Sequence, residues 1–424
     1  MRATLPRVGH WIGRRAAALG GRRTQGLSAL ALVPDRLTMP LRRDGVHPMP
    51  ELALLHAKAP VTRWGSLLGT RIWLVTGHAE ARAVLADTTR YSTDIRPYLG
   101  GGRTAPEESI GGLGFTDPPD HTRLRRLLAP HFTKHRLEAL RPRVEQIVAD
   151  RLDEIAAAGP QVDLLEAFAF PVPFLTICEL LGLPDEDRVT FRRVSAARFD
   201  LTSGGLGTFG ALSESRSFLL DVVRRQRLRP GDGLLGRMVT ELGDGIDDIE
   251  LSGLADGVFV GGYETTASML GLGTLLLLER PGGLDPLRGS EAEAEACIEE
   301  LLRVLSVVQI AFPRFAKEDL EIAGHRIRAG DVVICSVVGA NRDPRLVDAP
   351  QVFDPTRPVP PHLAFGYGAH RCLGAELARI ELRTALPALA RRFPDLALAA
   401  APADLGFRKL SIVHGLERLP VRAW

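Results

Sequence analysis

A ten-residue run at positions 365–374 constrains the fold of this chain more than any other feature. It reads FGYGAHRCLG and places Cys372 between a loop with two glycines and a segment, residues 373–385, with helical periodicity. Glycine allows tight turns and a close approach of the backbone to a flat ligand. The free N–H groups and partial positive charge at a helix start favour a thiolate. The run therefore predicts a sulfur atom that is ionised and directed at a metal.

The same run resembles the haem-binding signature of the cytochromes P450, F-G-x-G-x-H-x-C-x-G, at every fixed position. In that family a cysteine thiolate is the axial ligand of the haem iron and favours O–O cleavage. The resemblance implies that Cys372 is the proximal ligand of haem b, that Phe365 packs beside the sulfur, and that His370 reaches a haem propionate. A lone cysteine at a helix start is more often inert, but three further motifs follow in the P450 order.

The second motif, GGYETT at residues 261–266, lies within a predicted helix over residues 248–280. Adjacent glycines inside a helix cost about 1 kcal/mol each relative to alanine, so they need a structural reason. We expect the Thr265 hydroxyl to bond the Gly261 carbonyl one turn back and to open a groove. Alone, the pattern is typical of an amphipathic helix with a solvated glutamate. It resembles A/G-G-x-D/E-T-T of the central P450 helix, which implies that Thr265 steadies the activated oxygen and Glu264 supplies protons.

The third motif is the pair Glu300 and Arg303, three residues apart on a helix predicted to begin near residue 291. Ser290 and Glu293 have the spacing of a capping box at its start. An isolated E-x-x-R is typical of a surface ion pair worth a few tenths of a kcal/mol. The P450 resemblance implies instead a structural network with Arg357, which would fix the loop that presents the cysteine.

The fourth constellation is basic. His121 and Arg125 lie one turn apart on a helix predicted to begin near Asp120, and Arg314 follows Pro313. For each residue alone, a solvated surface charge is the usual interpretation. The P450 resemblance implies that His121, Arg125 and Arg314 bind the haem propionates, because cations at this spacing can clamp a carboxylate.

Bulk properties place the chain among soluble globular proteins. Of its 424 residues, 45% are hydrophobic and 25% charged, and a net charge of +2 does not favour a nucleic-acid partner. The four cysteines form no CxxC pair, which is typical of a reducing cytosol. The apolar stretch at residues 265–278 is shorter than the roughly 20 residues of a membrane span. We therefore expect a cytoplasmic protein without a membrane anchor.

The pattern along the chain predicts a mainly α protein with a small β region, and the resemblance implies the P450 fold, a triangular helical body around a buried haem. Residues 1–38 are predicted to be a basic, disordered extension, and residues 39–424 the cytochrome P450 domain. Pro387 is expected to kink or end the helix after the cysteine. Strands are predicted within residues 61–75 and at 320–322, 326–327 and 332–335, and a loop at 341–363.

The resemblance implies a haem-thiolate monooxygenase that inserts one oxygen atom from O2 into a lipophilic small molecule. Because the chain carries no flavin or nicotinamide fingerprint, electrons would come from an external ferredoxin and ferredoxin reductase. A basic face of Arg123, Arg126, Arg371 and Arg379 is predicted to bind the ferredoxin. We expect a monomer.

By the family resemblance, residues 258, 261 and 307–312 line the substrate site, and all of them are apolar except Gln309. Residues 191–209 would cover the entrance as a mobile lid. Neither the substrate nor the position of attack follows from these residues. Two alternatives remain open. One is a haem-thiolate protein that performs oxidative coupling or peroxide-driven oxidation. The other is a non-catalytic haem ligand carrier.

Overall fold

A 31-residue helix, Asp248–Leu278, passes through the largest cluster of buried apolar side chains. Asp247 caps its first turn by accepting a hydrogen bond from the Glu250 backbone N–H at 2.7 Å, as the sequence predicts. Every residue from Thr266 to Leu277 is buried. A helix that is apolar on all faces is stable only when protein surrounds it, and this part of the helix is surrounded on all sides. The computed structural model describes residues 35–67, 69–94, 113–199 and 214–424.

Helices make up most of the described chain. In order they are α1 (Asp35–Thr38), α2 (Pro50–Lys58), α3 (His78–Ala86), α4 (Asp120–Leu128), α5 (Lys134–Glu138), α6 (Arg141–Ala158), α7 (Pro171–Leu181), α8 (Asp185–Phe199), α9 (Glu214–Leu228), α10 (Leu234–Leu242), α11 (Asp248–Leu278), α12 (Asp285–Arg288), α13 (Glu291–Leu305), α14 (Val337–Ala340) and α15 (Ala375–Arg392). The central helix α11 packs against α7, α9, α13 and α15, and α6 packs against α7 and α15. This helical body contains the main core.

Short strands form the small β region that the sequence predicts. They are β1 (Arg43–Asp44), β2 (His47–Pro48), β3 (Val61–Leu67), β4 (Thr70–Val75), β5 (Tyr91–Ser92), β6 (Gln161–Asp163), β7 (Arg314–Ala316), β8 (Leu320–Ile322), β9 (His325–Ile327), β10 (Val332–Cys335), β11 (Ala397–Leu398) and β12 (Pro420–Arg422). The largest sheet has the order β3-β4-β10-β7-β5, in which β4 and β10 are parallel and the other neighbours antiparallel. A second core cluster covers this sheet.

Two boundaries differ from the sequence predictions. Residues 1–34 of the predicted extension lie outside the described residues, but Asp35–Thr38 form a helical turn in which Thr38 is buried. Helix α15 does not end at Pro387 but continues to Arg392. Pro387 is buried, and the helix contacts α6, α11 and α13. Tertiary packing therefore outweighs the loss of one backbone hydrogen bond.

Candidate active site

The loop before α15 holds Cys372 through its own backbone. The Cys372 N–H donates to the Phe365 carbonyl at 2.8 Å, which closes the loop on itself. Gly366 and Gly368 have φ values of +68° and +73°, so their left-handed conformation explains the glycines. A Cβ on Gly368 would also lie 2.7 Å from the Ala86 Cα at the end of α3. The glycines of this run thus fit both the turn and its packing.

The sulfur of Cys372 lies among donors and cations. The residue is solvent-accessible, whereas the other three cysteines are buried. Although the residue is exposed, the protein around the sulfur desolvates the thiol and raises its pKa, and the Gly374 N–H together with the guanidinium groups of Arg371, Arg125 and Arg379 partly offsets this effect. The Gly374 N–H beside the sulfur agrees with the N–H groups that the sequence predicts at a helix start, and the three arginines add positive charge. These groups favour a thiolate over a neutral thiol.

A basic cradle, defined by His121, Arg125, Arg314 and His370, adjoins this loop. The rings of His121 and His370 lie 4.1 Å apart between centroids. Burial, followed by repulsion from the His121 ring if it is protonated and from the Arg314 guanidinium, lowers the pKa of His370 to about 3. Burial also lowers the pKa of His121, with Arg125 as the next cause. Helix α4, strand β7 and the cysteine loop therefore bring the four predicted basic residues together.

The basic cradle has unused hydrogen-bonding capacity. Among the described residues, none lies in good hydrogen-bonding geometry to the four buried ring nitrogens of His121 and His370, although the Leu113 backbone lies near His370. Arg314 is buried and donates to the Phe312 carbonyl at 2.9 Å, and Arg125 forms no ion pair with any described residue. The nearby carboxylate, Asp117, is held by Ser92 and Thr93. Buried donors of this kind match a ligand that carries carboxylates, and the adjacent thiol is an iron ligand, so these residues fit a haem with its two propionates.

The Gly261–Thr265 segment of α11 combines an internal side-chain hydrogen bond with open space at Gly261. The Thr265 hydroxyl donates to the Gly261 carbonyl at 2.8 Å, which confirms the predicted bond. A Cβ added to Gly261 would meet no atom within 4 Å, so space lies open over this turn. A Cβ on Gly262 would instead lie 3.0 Å from Ile177 on α7. The two glycines therefore have different roles: Gly261 leaves space open over its turn, and Gly262 lets α11 pack closely against α7.

Glu264 is not solvated. Its side chain is 13% exposed and pairs with Arg408, which lies 144 positions further along the chain. Burial raises the pKa of Glu264, whereas the charge and hydrogen bond of Arg408 lower it. No motif in the sequence indicates Arg408. Thr265 bonds within α11 and Glu264 bonds Arg408, and among the described residues neither side chain bonds to the Cys372 loop.

The predicted network of Glu300, Arg303 and Arg357 is confirmed. Arg303 forms two 2.7 Å hydrogen bonds to the Glu300 carboxylate, and both side chains are buried. The Nε atom of Arg357 lies 3.0 Å from Glu300 Oε1. Arg303 also donates to the carbonyls of Asn341, Pro350 and Val352. Since the Asn341 side chain accepts from the Leu363 N–H at 2.6 Å, the network reaches the start of the cysteine loop.

A second buried carboxylate, Glu299, supports the same loop and was not indicated by any motif. It accepts from Arg379 at 2.6 and 2.9 Å and lies 3.1 Å from His362 Nε2. Although burial raises its pKa, the bonds from His362 and Arg379 are stronger and lower it to about 2. The guanidinium of Arg379 also lies 4.5 Å from the centre of the Phe365 ring. Phe365 is thus fixed from one side by a cation that Glu299 orients.

Two predictions about the surroundings need correction. Gln309 does not offer a polar group to a substrate, because it accepts from Arg43 and donates to the carbonyls of Leu41 and Ser411. In the predicted basic face, Arg123 is paired with Glu250 and Arg379 with Glu299.

The remaining members of that face, Arg126 and Arg371, are exposed.

Phe312, in the predicted substrate wall, is 45% exposed and packs edge-on against Phe115. In the predicted lid, Phe191 is a buried core residue at the start of the segment, and residues 200–213 lie outside the described residues.

Comparison with known proteins agrees with this geometry. The family model described as Cytochrome P450 matches residues 294–396. Cytochrome P450 165B3 of Amycolatopsis orientalis is 41% identical over 92% of this chain and 99% of its own length. The chain belongs to the cytochrome P450 family.

Two further relatives show the range of this family. The 6-deoxyerythronolide B hydroxylase of Saccharopolyspora erythraea is 38% identical over 87% of this chain and 94% of its own length. OxyC, described as a cytochrome P450 implicated in an oxidative C–C coupling reaction during vancomycin biosynthesis, superimposes with a TM-score of 0.81. It is 36% identical, and the match covers 92% of this chain and 97% of OxyC.

Membership in the P450 family has direct consequences. The protein has the P450 fold and is an oxidoreductase of the P450 monooxygenase class. Its cofactor is haem, the group that the cysteine loop and the basic cradle fit. None of the described helices is both long and apolar enough to cross a bilayer.

Proposed function

We propose that this P450 inserts one oxygen atom from O2 into a lipophilic small molecule, with haem b bound by Cys372. The observation that carries the proposal is the basic cradle beside the cysteine loop, whose four buried imidazole nitrogens have no well-aligned hydrogen-bond partner in the described part of the chain. His121, Arg125, Arg314 and His370 would bind the propionates. Phe365 would pack beside the sulfur, with its ring held by Arg379. We place this function in the domain formed by residues 39–424.

When bound, haem supplies the iron on which dioxygen is activated. The chain then contributes positioning and protons. The Gly374 N–H and the cations around Cys372 favour the ionised sulfur against the effect of desolvation, and the closed loop keeps the sulfur in place. The open turn over Gly261 leaves room for a small ligand, and the Thr265 hydroxyl lies at its edge. Glu264, the neighbouring buried acid, can supply protons to Thr265 as a general acid.

A spectrum tests the haem assignment first. We expect the reduced protein with carbon monoxide to absorb as a thiolate-ligated haem, and Cys372→Ser to lose that absorption. A matched control, Cys297→Ser, removes a buried cysteine far from the loop in sequence and should keep the thiolate spectrum. A colourless protein, or the spectrum of a histidine-ligated globin, would contradict the proposal.

Oxidative coupling is the second candidate reaction, because OxyC is described as a C–C coupling P450 and superimposes well. Both reactions use the same thiolate and differ in the fate of oxygen. A screen of lipophilic compounds for binding spectra would supply substrates, and turnover under 18O2 would then separate the two. A product that carries one 18O atom supports insertion, and a dehydrogenated, unlabelled coupled product supports coupling. Binding without turnover would support a ligand carrier.

The electrons in this proposal come from a ferredoxin and its reductase. Arg126 and Arg371 are the exposed members of the predicted basic face, and they would attract an acidic ferredoxin. Charge reversal in Arg126→Glu should slow reduction at low salt and weaken its salt dependence. The same reversal at Arg418, which is 75% exposed and pairs with Asp163, should not. The proposal includes a monomer that works in the cytoplasm.

A further inference from the structure

Arg342 is a buried arginine without a counter-charge of its own. It lies two residues after α14 and is only 4% exposed, and none of its three guanidinium nitrogens has a well-aligned hydrogen-bond partner in the described part of the chain. Burial lowers the pKa of Arg342 to about 9, which is still above neutral pH, so the side chain stays positive. Buried charges are normally paired, because removal from water is costly for a lone ion.

Other guanidinium groups make this position more positive. We define the arginine cluster as Arg43, Arg303 and Arg342. After burial, repulsion from Arg303 is the next cause that lowers the pKa of Arg342, and Arg342 in turn lowers the pKa of Arg43. The Arg43 guanidinium donates to the Gln309 side chain and to three backbone carbonyls, and all of these acceptors are uncharged. Only Arg303 is therefore bonded to a carboxylate within the described residues.

The nearby acids do not balance this charge. Glu300, the carboxylate that acts on Arg342, accepts two bonds from Arg303 and lies 3.0 Å from Arg357 Nε. Asp44 is exposed and acts on His47, whose pKa is nevertheless lowered by burial and then by three arginines. Residues 1–34, which precede this region in the chain, contain neither aspartate nor glutamate. The described residues thus leave an excess of buried positive charge at Arg342.

We propose that Arg342 and Arg43 bind a small inorganic anion of the size and charge of chloride, where the β1–β2 hairpin meets the segment after α14. The anion has to be small because the Arg342 guanidinium is buried, and its negative charge offsets the repulsion within the arginine cluster. His47, on the same hairpin, is exposed and lies near Arg342, so the ion can exchange with solvent on that side.

The anion would join the hairpin to the segment that supports the cysteine loop. Asn341, the neighbour of Arg342, accepts from Arg303 through its carbonyl and from the Leu363 N–H through its side chain. The Arg43 side chain bonds the carbonyls that follow α13. An ion held by both arginines therefore stabilises the contact between these segments, and haem should be retained better when it is bound. Anion binding at this position does not depend on which reaction the haem catalyses.

Thermal unfolding of the holoprotein tests the site in solution. Ionic strength is kept constant by replacing chloride with gluconate, which is too large for a buried site. We expect the Tm of the native protein to rise with the logarithm of the chloride concentration, by about 3 °C once chloride exceeds its Kd about 100-fold. Haem loss, followed at the Soret band in the same experiment, should move to higher temperature with it.

Arg342→Met removes the charge and keeps much of the side-chain length. It should abolish the chloride dependence, and without chloride it should be at least as stable as the native protein, because no unpaired charge is left buried. Arg328→Met is the matched control, since it removes an exposed arginine and should keep the full chloride response. A native Tm that ignores chloride, or a chloride response that persists in Arg342→Met, would overturn the proposal.

Crystals of the native holoprotein soaked in bromide locate the ion, and they decide the question even if Arg342→Met fails to fold. We expect an anomalous difference peak within hydrogen-bonding distance of the Arg342 guanidinium. A water molecule without anomalous signal at that position would refute the anion site. A bromide peak there, together with a Tm that chloride does not change, would mean an adventitious ion only and would refute it as well.

Discussion

Removing Arg303 should destabilise the protein more than removing any exposed arginine. Its side chain is fully buried and makes five hydrogen bonds, two of them to Glu300. Arg303→Met preserves the length of the side chain but leaves the Glu300 carboxylate buried with Arg357 as its remaining basic partner. It also removes a donor from the carbonyls of Asn341, Pro350 and Val352, of which Val352 keeps a hydrogen bond from Arg357. We expect a less stable fold and a less firmly held cysteine loop.

The magnitude follows from burial. Loss of one partner of a buried ion pair typically costs about 3–5 kcal/mol, because the other charge stays in a poor environment. A whole domain is stable by only about 5–15 kcal/mol, so this is a large share. At about 2.1 cal/mol/K of unfolding entropy per residue, we therefore expect the thermal midpoint Tm to fall by about 3–6 °C. Haem content should fall as well, since the network reaches Leu363 through Asn341.

An exposed pair with the same spacing supplies the matched control. Arg224 and Asp221 are also three residues apart and lie 3.2 Å from each other, but their side chains are 61% and 71% exposed. Arg224→Met should cost less than about 1 kcal/mol. The assay is thermal unfolding of both holoproteins by circular dichroism, with haem retention measured at the Soret band. Equal Tm shifts in the two variants would refute the reasoning from burial.

Three further outcomes are expected. Burial raises the pKa of Glu381, so its carboxyl stays neutral in the native protein and ionises in the unfolded chain. The free energy of unfolding should therefore fall as the pH rises above about 4. In melting curves recorded across pH, Glu381→Gln should flatten this fall. Gln309→Leu should lower the unfolding free energy by about 1–3 kcal/mol in denaturant titrations and keep the carbon monoxide spectrum, because Gln309 bonds Arg43 and two carbonyls rather than substrate. Gly368→Ala should reduce haem content in the purified protein, because the added Cβ would lie 2.7 Å from the α3 backbone and because φ at this position is +73°. Gly245→Ala should not reduce haem content, since a Cβ at Gly245 meets no atom within 4 Å.

Local patterns predicted a large part of this protein. The capping residues Asp247 and Ser290 begin their helices as expected, and the Thr265 hydroxyl bonds Gly261. Each of these features depends on residues three or four positions apart, so the chain itself brings the partners together. The pair of Glu300 and Arg303 also forms as predicted, but the E-x-x-R pattern alone does not show that both side chains are buried.

Long-range features escaped sequence reasoning. The partner of Glu264 lies 144 positions away, and Glu299 meets Arg379 across 80 positions. Gln309, predicted to face substrate, is instead bonded to Arg43 from the other end of the chain, 266 positions away. No periodicity or spacing connects such residues, since polar side chains far apart in sequence have many equally plausible partners.

The sequence alone determined the cysteine loop, the central helix and hence the family, because short motifs with fixed spacing impose their geometry locally. Only the tertiary structure decided which charges are buried together. It placed four basic groups beside Cys372, neutralised half of the predicted basic face, and put Arg408 on the acid of the central helix. Burial and the pairing of distant charges depend on how the elements pack, which a linear pattern does not encode.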